Sequence, residues 1–157
     1  MEFERAKKIA AKLLSFKMYT SSEVYKKLLQ KGISDEVAEQ TVTEFSRAGI
    51  LNDEEYAKMY IHDGLLVNMK GSFRIKQELL QKGVASSIIE KALKGTDVDM
   101  ASQLEEYVEI RFGGKTFSDP KEIEKAKAHL VRRGFGIYDI NKCFAKLNIR
   151  VLRGDED

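Results

Sequence analysis

The segment Leu28-Leu29-Gln30-Lys31-Gly32-Ile33 returns as Leu79-Leu80-Gln81-Lys82-Gly83-Val84, and more loosely as Leu130-Val131-Arg132-Arg133-Gly134-Phe135. Its glycines, at 32, 83 and 134, recur at a constant interval of 51 residues. A fixed period of this length means one supersecondary unit used three times, each copy leaving an apolar face for its neighbour to cover. The spacing therefore predicts an array with units at residues 1–51, 52–96 and 97–151 and a short tail at 152–157. The tail is charged and aperiodic, so it is expected to fray.

Glycine and turn residues cut the chain into segments of helical length, and proline occurs once, at Pro120. Alternating apolar and polar runs are absent, which argues against a sheet. The expected fold is all-α, with three helices per unit and helix-turn-helix-like pairs, stacked into an elongated, curved array. In the first unit the helices run from about Glu2 to Phe16, from Thr20 to the Gly32 stop, and from Ser34 to Gly49. Thr20 and Glu23 have the spacing of a capping box. The second unit opens at Asn52 and continues over about Ser72–Lys82 and Ser86–Lys94. In the third, Asp119-Pro120-Lys121-Glu122 offers an N-cap acceptor, proline at N1 and glutamate at N3. The 51-residue offset lays core on core: Leu28, Leu79 and Leu130; Val24, Ile75 and Ala126; Val42, Leu93 and Phe144.

Catalytic constellations are hard to assemble from this chain. His62 and His129 lack metal-ligand spacing, and each reads as a solvent-exposed helical residue. Cys143, the only cysteine, shares its repeat position with Thr41 and Ala92, a small buried slot. Gly113-Gly114 belongs to no phosphate-loop pattern. The sequence thus predicts neither an enzyme nor a cofactor or metal. The N-terminus has no apolar signal core and no apolar run approaches the ~20 residues that span a bilayer, so the expected compartment is the cytoplasm.

Charge carries the functional signal. Formal net charge is only +2, with 33% charged residues, so the whole chain is not polybasic. Segregation is what matters: the second helix of every unit is basic, with a local balance of +3 over Lys17–Lys31, over Lys70–Lys82 and over Lys121–Arg133. Asp97–Arg111, by contrast, is acidic. A stacked array would line these helices into a basic stripe. Candidate contacts are Lys27, Lys31, Lys70, Arg74, Lys76, Lys82, Lys125, Lys127, Arg132 and Arg133. Lys31, Lys82 and Arg133 also precede a helix-ending glycine, where a cation offsets the negative end of the helix dipole by about 0.3–1 kcal/mol. Arg74 and Lys125 share a repeat position and have no such role, which makes them the stronger candidates for phosphates or acidic side chains.

Four motifs in order resemble the RecX family across essentially the whole chain. Thr20, Glu23, Val24, Lys27, Leu28, Lys31 and Gly32 match the first-repeat run. Gly49-Ile50-Leu51-Asn52-Asp53-Glu54-Glu55-Tyr56-Ala57 is similar to the junction signature. Lys70, Gly71, Arg74, Ile75, Glu78, Leu79, Lys82 and Gly83 meet the next motif, and Arg132-Arg133-Gly134-Phe135 the last, with Ile140 in register. Lys17 and Tyr19 depart from it, standing where the family often has arginine or histidine. Tyr56 replaces a phenylalanine. The resemblance implies a non-enzymatic modulator that binds the RecA–DNA filament, mainly limiting its growth, ATP hydrolysis and strand exchange in DNA repair and the SOS response. It implies contact with DNA that is weak or made through the filament. Two other readings stand beside it: an autonomous DNA-binding repeat protein, and a helical scaffold for an unrelated partner. The polar outer helices of the terminal units suit a monomer.

Overall fold

A computed structural model describes residues 1–152. Among the described residues there are nine helices: α1 (Glu2–Phe16), α2 (Ser21–Gln30), α3 (Asp35–Arg47), α4 (Asp53–Leu66), α5 (Ser72–Gln81), α6 (Ser86–Gly95), α7 (Met100–Phe112), α8 (Pro120–Arg132) and α9 (Ile137–Lys146). β pairing among them is limited to one parallel bridge, Phe117 with Val151. The fold is an all-α array of three-helix repeats. Leu152 is tied down, its amide donating to the Phe117 carbonyl at 3.0 Å. The rest of the expected fraying falls on 153–157, outside the described residues.

The most faithfully repeated stretch is a helix stop. Gly32, Gly83 and Gly134 take left-handed backbone angles, with φ of +86°, +86° and +104°. In each case the amide two residues past the cap reaches back over the last turn: Ile33 to Leu28, Val84 to Leu79 and Phe135 to Leu130, all at 3.1 Å. The glycine amides bond to Leu29, Leu80 and Val131. This is a Schellman closure used three times, and it explains both the glycine and the apolar residue after it. Ile33, Val84 and Phe135 are buried by that closure.

Starts are specified as firmly. The Thr20 hydroxyl accepts from the Glu23 amide at 3.1 Å and the Glu23 carboxylate accepts from the Thr20 amide at 2.9 Å, completing the capping box. Asn52 caps α4 through the Glu55 amide, and Asp119 caps α8 through the Lys121 amide. The reciprocal bond at α8 differs from expectation: Glu122 accepts from Ser118, one residue before the cap. Pro120 at N1 lacks only an amide that the first helical turn leaves unpaired in any case.

The chain forms two compact units, residues 1–60 with 78–95, and residues 61–77 with 96 onward. The middle repeat contributes to both. Its α4 and α5 each begin in one unit and end in the other, while a further division falls between Gly95 and Thr96. In the first unit α1, α2 and α3 pack on one another around Ala6, Ala10, Val24, Leu28, Ala38 and Phe45. In the second, α7 and α8 pack on α9 around Leu104, Val108, Leu130, Ile140 and Phe144. Leu28, Leu79 and Leu130 are fully buried, as the repeat requires, and Thr41, Ala92 and Cys143 occupy the small buried slot. Val42 and Leu93 are only half-buried where Phe144 is buried.

Candidate partner-binding surface

Each unit contains the same joint. In the first, the N-terminus of α2 meets the glycine turn after α5: the Thr20 hydroxyl donates to the Lys82 carbonyl at 2.7 Å. In the second, the N-terminus of α5 meets the glycine turn after α8. There the Gly71 amide donates to the Arg133 carbonyl at 2.9 Å, and the Phe73 amide to the Gly134 carbonyl at 3.1 Å. Thr20 and Gly71 share a repeat position, as do Lys82 and Arg133. The positive end of one helix dipole faces the negative end of another, and each bond satisfies a carbonyl the helix leaves unpaired. A Cβ on Gly71 would lie 2.2 Å from the Gly134 carbonyl carbon, and one on Gly83 would lie 2.2 Å from the Ser22 Cβ. Lys82-Gly83 and Arg133-Gly134 are therefore joint residues.

That geometry sorts the candidate cations. Lys82 lies 3.9 Å from the Glu23 carboxylate and 5.6 Å from the Tyr60 ring centroid. Arg133 spends its guanidinium on the loop before α5, donating to the Asn68 and Met69 carbonyls, and sits 4.9 Å over the Tyr107 ring. Both serve their own units. Lys27 and Lys17 lie over Tyr19, at 5.5 and 4.8 Å from the centroid, and Lys127 lies 5.5 Å over Phe144. Lys70 and Lys76 are half-buried, whereas Lys31, Arg74, Lys125 and Arg132 are exposed. The first unit thus holds Lys27, Lys31 and Lys82; the second holds the other seven candidates.

Several residues that organise this surface escape charge counting. Arg5, Tyr56 and Tyr107 share one repeat position; Arg5 faces a glycine turn and Tyr107 faces the cation of another. Arg5 donates to the Lys31 carbonyl at 2.8 Å, the service Thr20 and Gly71 give the other two turns. Tyr56 is half-buried near Glu23 and Asp53; burial first, then those carboxylates, push its phenol up to about 12. One repeat position also supplies tyrosine partners from the second helix: Tyr60 donates to Glu78 at 2.8 Å, and the Tyr107 hydroxyl meets His129 Nε2 at 2.7 Å. The period of 51 was the signal that could have found them.

His129 is a correction to the sequence reading. It is half-buried, stacked on Tyr107 at 5.8 Å between centroids and edge-on to Phe112 at 6.0 Å. Burial, then the cations Arg111, Arg132 and Arg133, lower its pKa. His62 is exposed as expected. Burial raises the Cys143 thiol to about 11, the carboxylate of Glu105 adding to it. Among the described residues no cluster of His, Cys, Asp and Glu could hold a metal ion, and no helix is long and apolar enough to cross a membrane.

Comparison with known proteins agrees with this arrangement. The family model for the first three-helix domain of RecX matches residues 6–45, and that for the second matches residues 52–93. The regulatory protein RecX of Caldanaerobacter subterraneus subsp. tengcongensis is 33% identical over 147 residues, covering 90% of this chain and 70% of that protein. The chain belongs to the RecX family. RecX of Streptococcus gordonii is 31% identical over 149 residues, and the chain spans only 57% of that relative's length. The crystal structure of RecX from Lactobacillus salivarius shares the fold, with a TM-score of 0.80 at 24% identity over 94% of this chain and 97% of that one. The joints and glycine turns described above are therefore features of a RecX-family protein.

Proposed function

We propose that this chain binds the RecA–DNA filament and mainly inhibits filament growth, ATP hydrolysis and strand exchange, without catalysing a reaction itself. The observation that carries the reading is the pairing of Arg74 and Lys125. They hold the same place in successive repeats, and both are exposed. A repeated exposed cation suits a target that itself repeats, such as a polymer of identical subunits on DNA, because successive contacts then add by effective concentration. The modules 1–51, 52–96 and 97–151 act in this reading as the contact units of a cytoplasmic monomer. Lys27, Lys31, Lys70, Lys76, Lys127 and Arg132 provide the surrounding positive field.

The test is DNA-stimulated ATP hydrolysis by the cognate recombinase, measured with increasing amounts of this protein. A progressive fall in rate is expected, and an unchanged rate at saturation contradicts the reading. Affinity for bare DNA should be weak and fall with salt, because the net charge is close to zero.

A further inference from the structure

Three side chains of the second unit are apolar where the repeat places polar ones. Phe73 shares its position with Ser22 and Glu124, Ile137 with Asp35 and Ser86, and Tyr138 with Glu36 and Ser87. The fold does not need them apolar, and it does not bury them: they are 65, 54 and 74% exposed. Phe73 is nonetheless fixed in place. Its amide is bonded to Gly134, and its ring edge lies 3.1 Å from where a Gly136 Cβ would stand. Gly136 is the N-cap of α9, so Ile137 and Tyr138 follow directly beside that ring.

A cavity of about 100 Å³ opens at the same place, lined by Leu65, Met100, Leu104 and Phe135 with Ser72 and Asp139. Gly136 lines it too, so cavity and exposed rings share one backbone segment. Lys70, Arg74 and Lys76 surround Phe73 along the chain, against the single carboxylate of Asp139 at the cavity. Exposed aromatic and arginine side chains around an apolar pocket are the usual anchors of a protein interface.

We propose that this face of the second unit seats an acidic amphipathic segment of a protein partner. One aliphatic side chain enters the cavity, the Phe73 and Tyr138 rings cover it, and flanking carboxylates meet the cations beside Phe73. The proposal rests on the filament reading above and deepens it, naming the recombinase polypeptide as what this face grips. Ile137 and the apolar cavity favour an aliphatic side chain over a stacked base.

The experiment titrates the full chain against the cognate recombinase with nucleotide and without DNA, and separately against its DNA filament. Compared are the wild type, the triple variant Phe73→Ser, Ile137→Ser, Tyr138→Ser, and Ala101→Leu, which projects into the cavity. Serine stands at each of the three positions in another repeat, so the triple variant should keep its helical circular dichroism. DNA-free binding at least tenfold weaker in the triple variant supports the proposal. Undiminished binding overturns it while leaving the filament reading intact; a wild type that binds neither recombinase nor filament overturns both. Loss of oligothymidylate binding with recombinase binding unchanged would assign the rings to bases. A wild-type dimer that the triple variant dissociates would assign the face to a second copy. Either result overturns the proposal.

Discussion

Arg133 shows how much one residue carries in a repeat of this kind. Its carbonyl receives the next joint, its guanidinium holds the preceding loop, and its charge lies over Tyr107. Beside it, His129 titrates against the fold. The folded imidazole has its pKa lowered from 6.5, while the unfolded one protonates near that ordinary value. The unfolded chain therefore binds more protons below pH 6.5, and stability present above that pH is lost as pH falls towards the folded pKa. Urea midpoints measured between pH 8 and pH 5 should fall across that window, and His129→Gln should flatten the fall. Cys143 makes the opposite kind of prediction. Buried and with its thiol raised to about 11, it should stay inert to a disulfide reagent at pH 8 until urea unfolds the chain. Rapid labelling of the native protein would show the slot to be open. Cys143 was legible in the sequence because Thr41 and Ala92 marked its position as small. His129 was not, because its partners Tyr107 and Phe112 come from another helix, which composition and local pattern cannot place.

At the scale of elements, the stops and starts of helices were the most readable part. Glycine at a left-handed position and Thr20 with Glu23 each act within a few residues, so local sequence contains the whole cause. The joints were hidden, although their residues were in plain view. Lys82 and Arg133 read either as cations offsetting a helix dipole or as partner contacts, and nothing local reveals that the N-terminus of another helix lies against their turns. Gly71 read only as part of a motif; its reason is the Gly134 backbone, which leaves no room for a methyl group. Gly71→Ala should therefore destabilise the protein by about 1–3 kcal/mol, the usual range for forcing an atom into a filled site. Equilibrium urea unfolding measures it directly, and a neutral result would mean that the joint yields without cost. Gly32, with nothing within 4 Å of a Cβ, lacks that packing constraint. Its left-handed backbone alone sets the cost of replacing it.

For the whole molecule, the 51-residue period set the fold class, and the order of motifs set the family. The division into two compact units was not legible, because it depends on α4 and α5 serving both, and periodicity treats every repeat alike. The exposed Phe73, Ile137 and Tyr138 were illegible for a related reason: a period reports what the repeats share, and these residues are where they differ. The central functional claim is that exposed cations recurring in step along the array read a repeating target. It is tested most directly by recombinase ATP hydrolysis on DNA, titrated with the wild type and with the double variant Arg74→Glu, Lys125→Glu. The account predicts inhibition by the wild type, and loss of inhibition in the variant with circular dichroism unchanged. Full inhibition by the charge-reversed protein would contradict it.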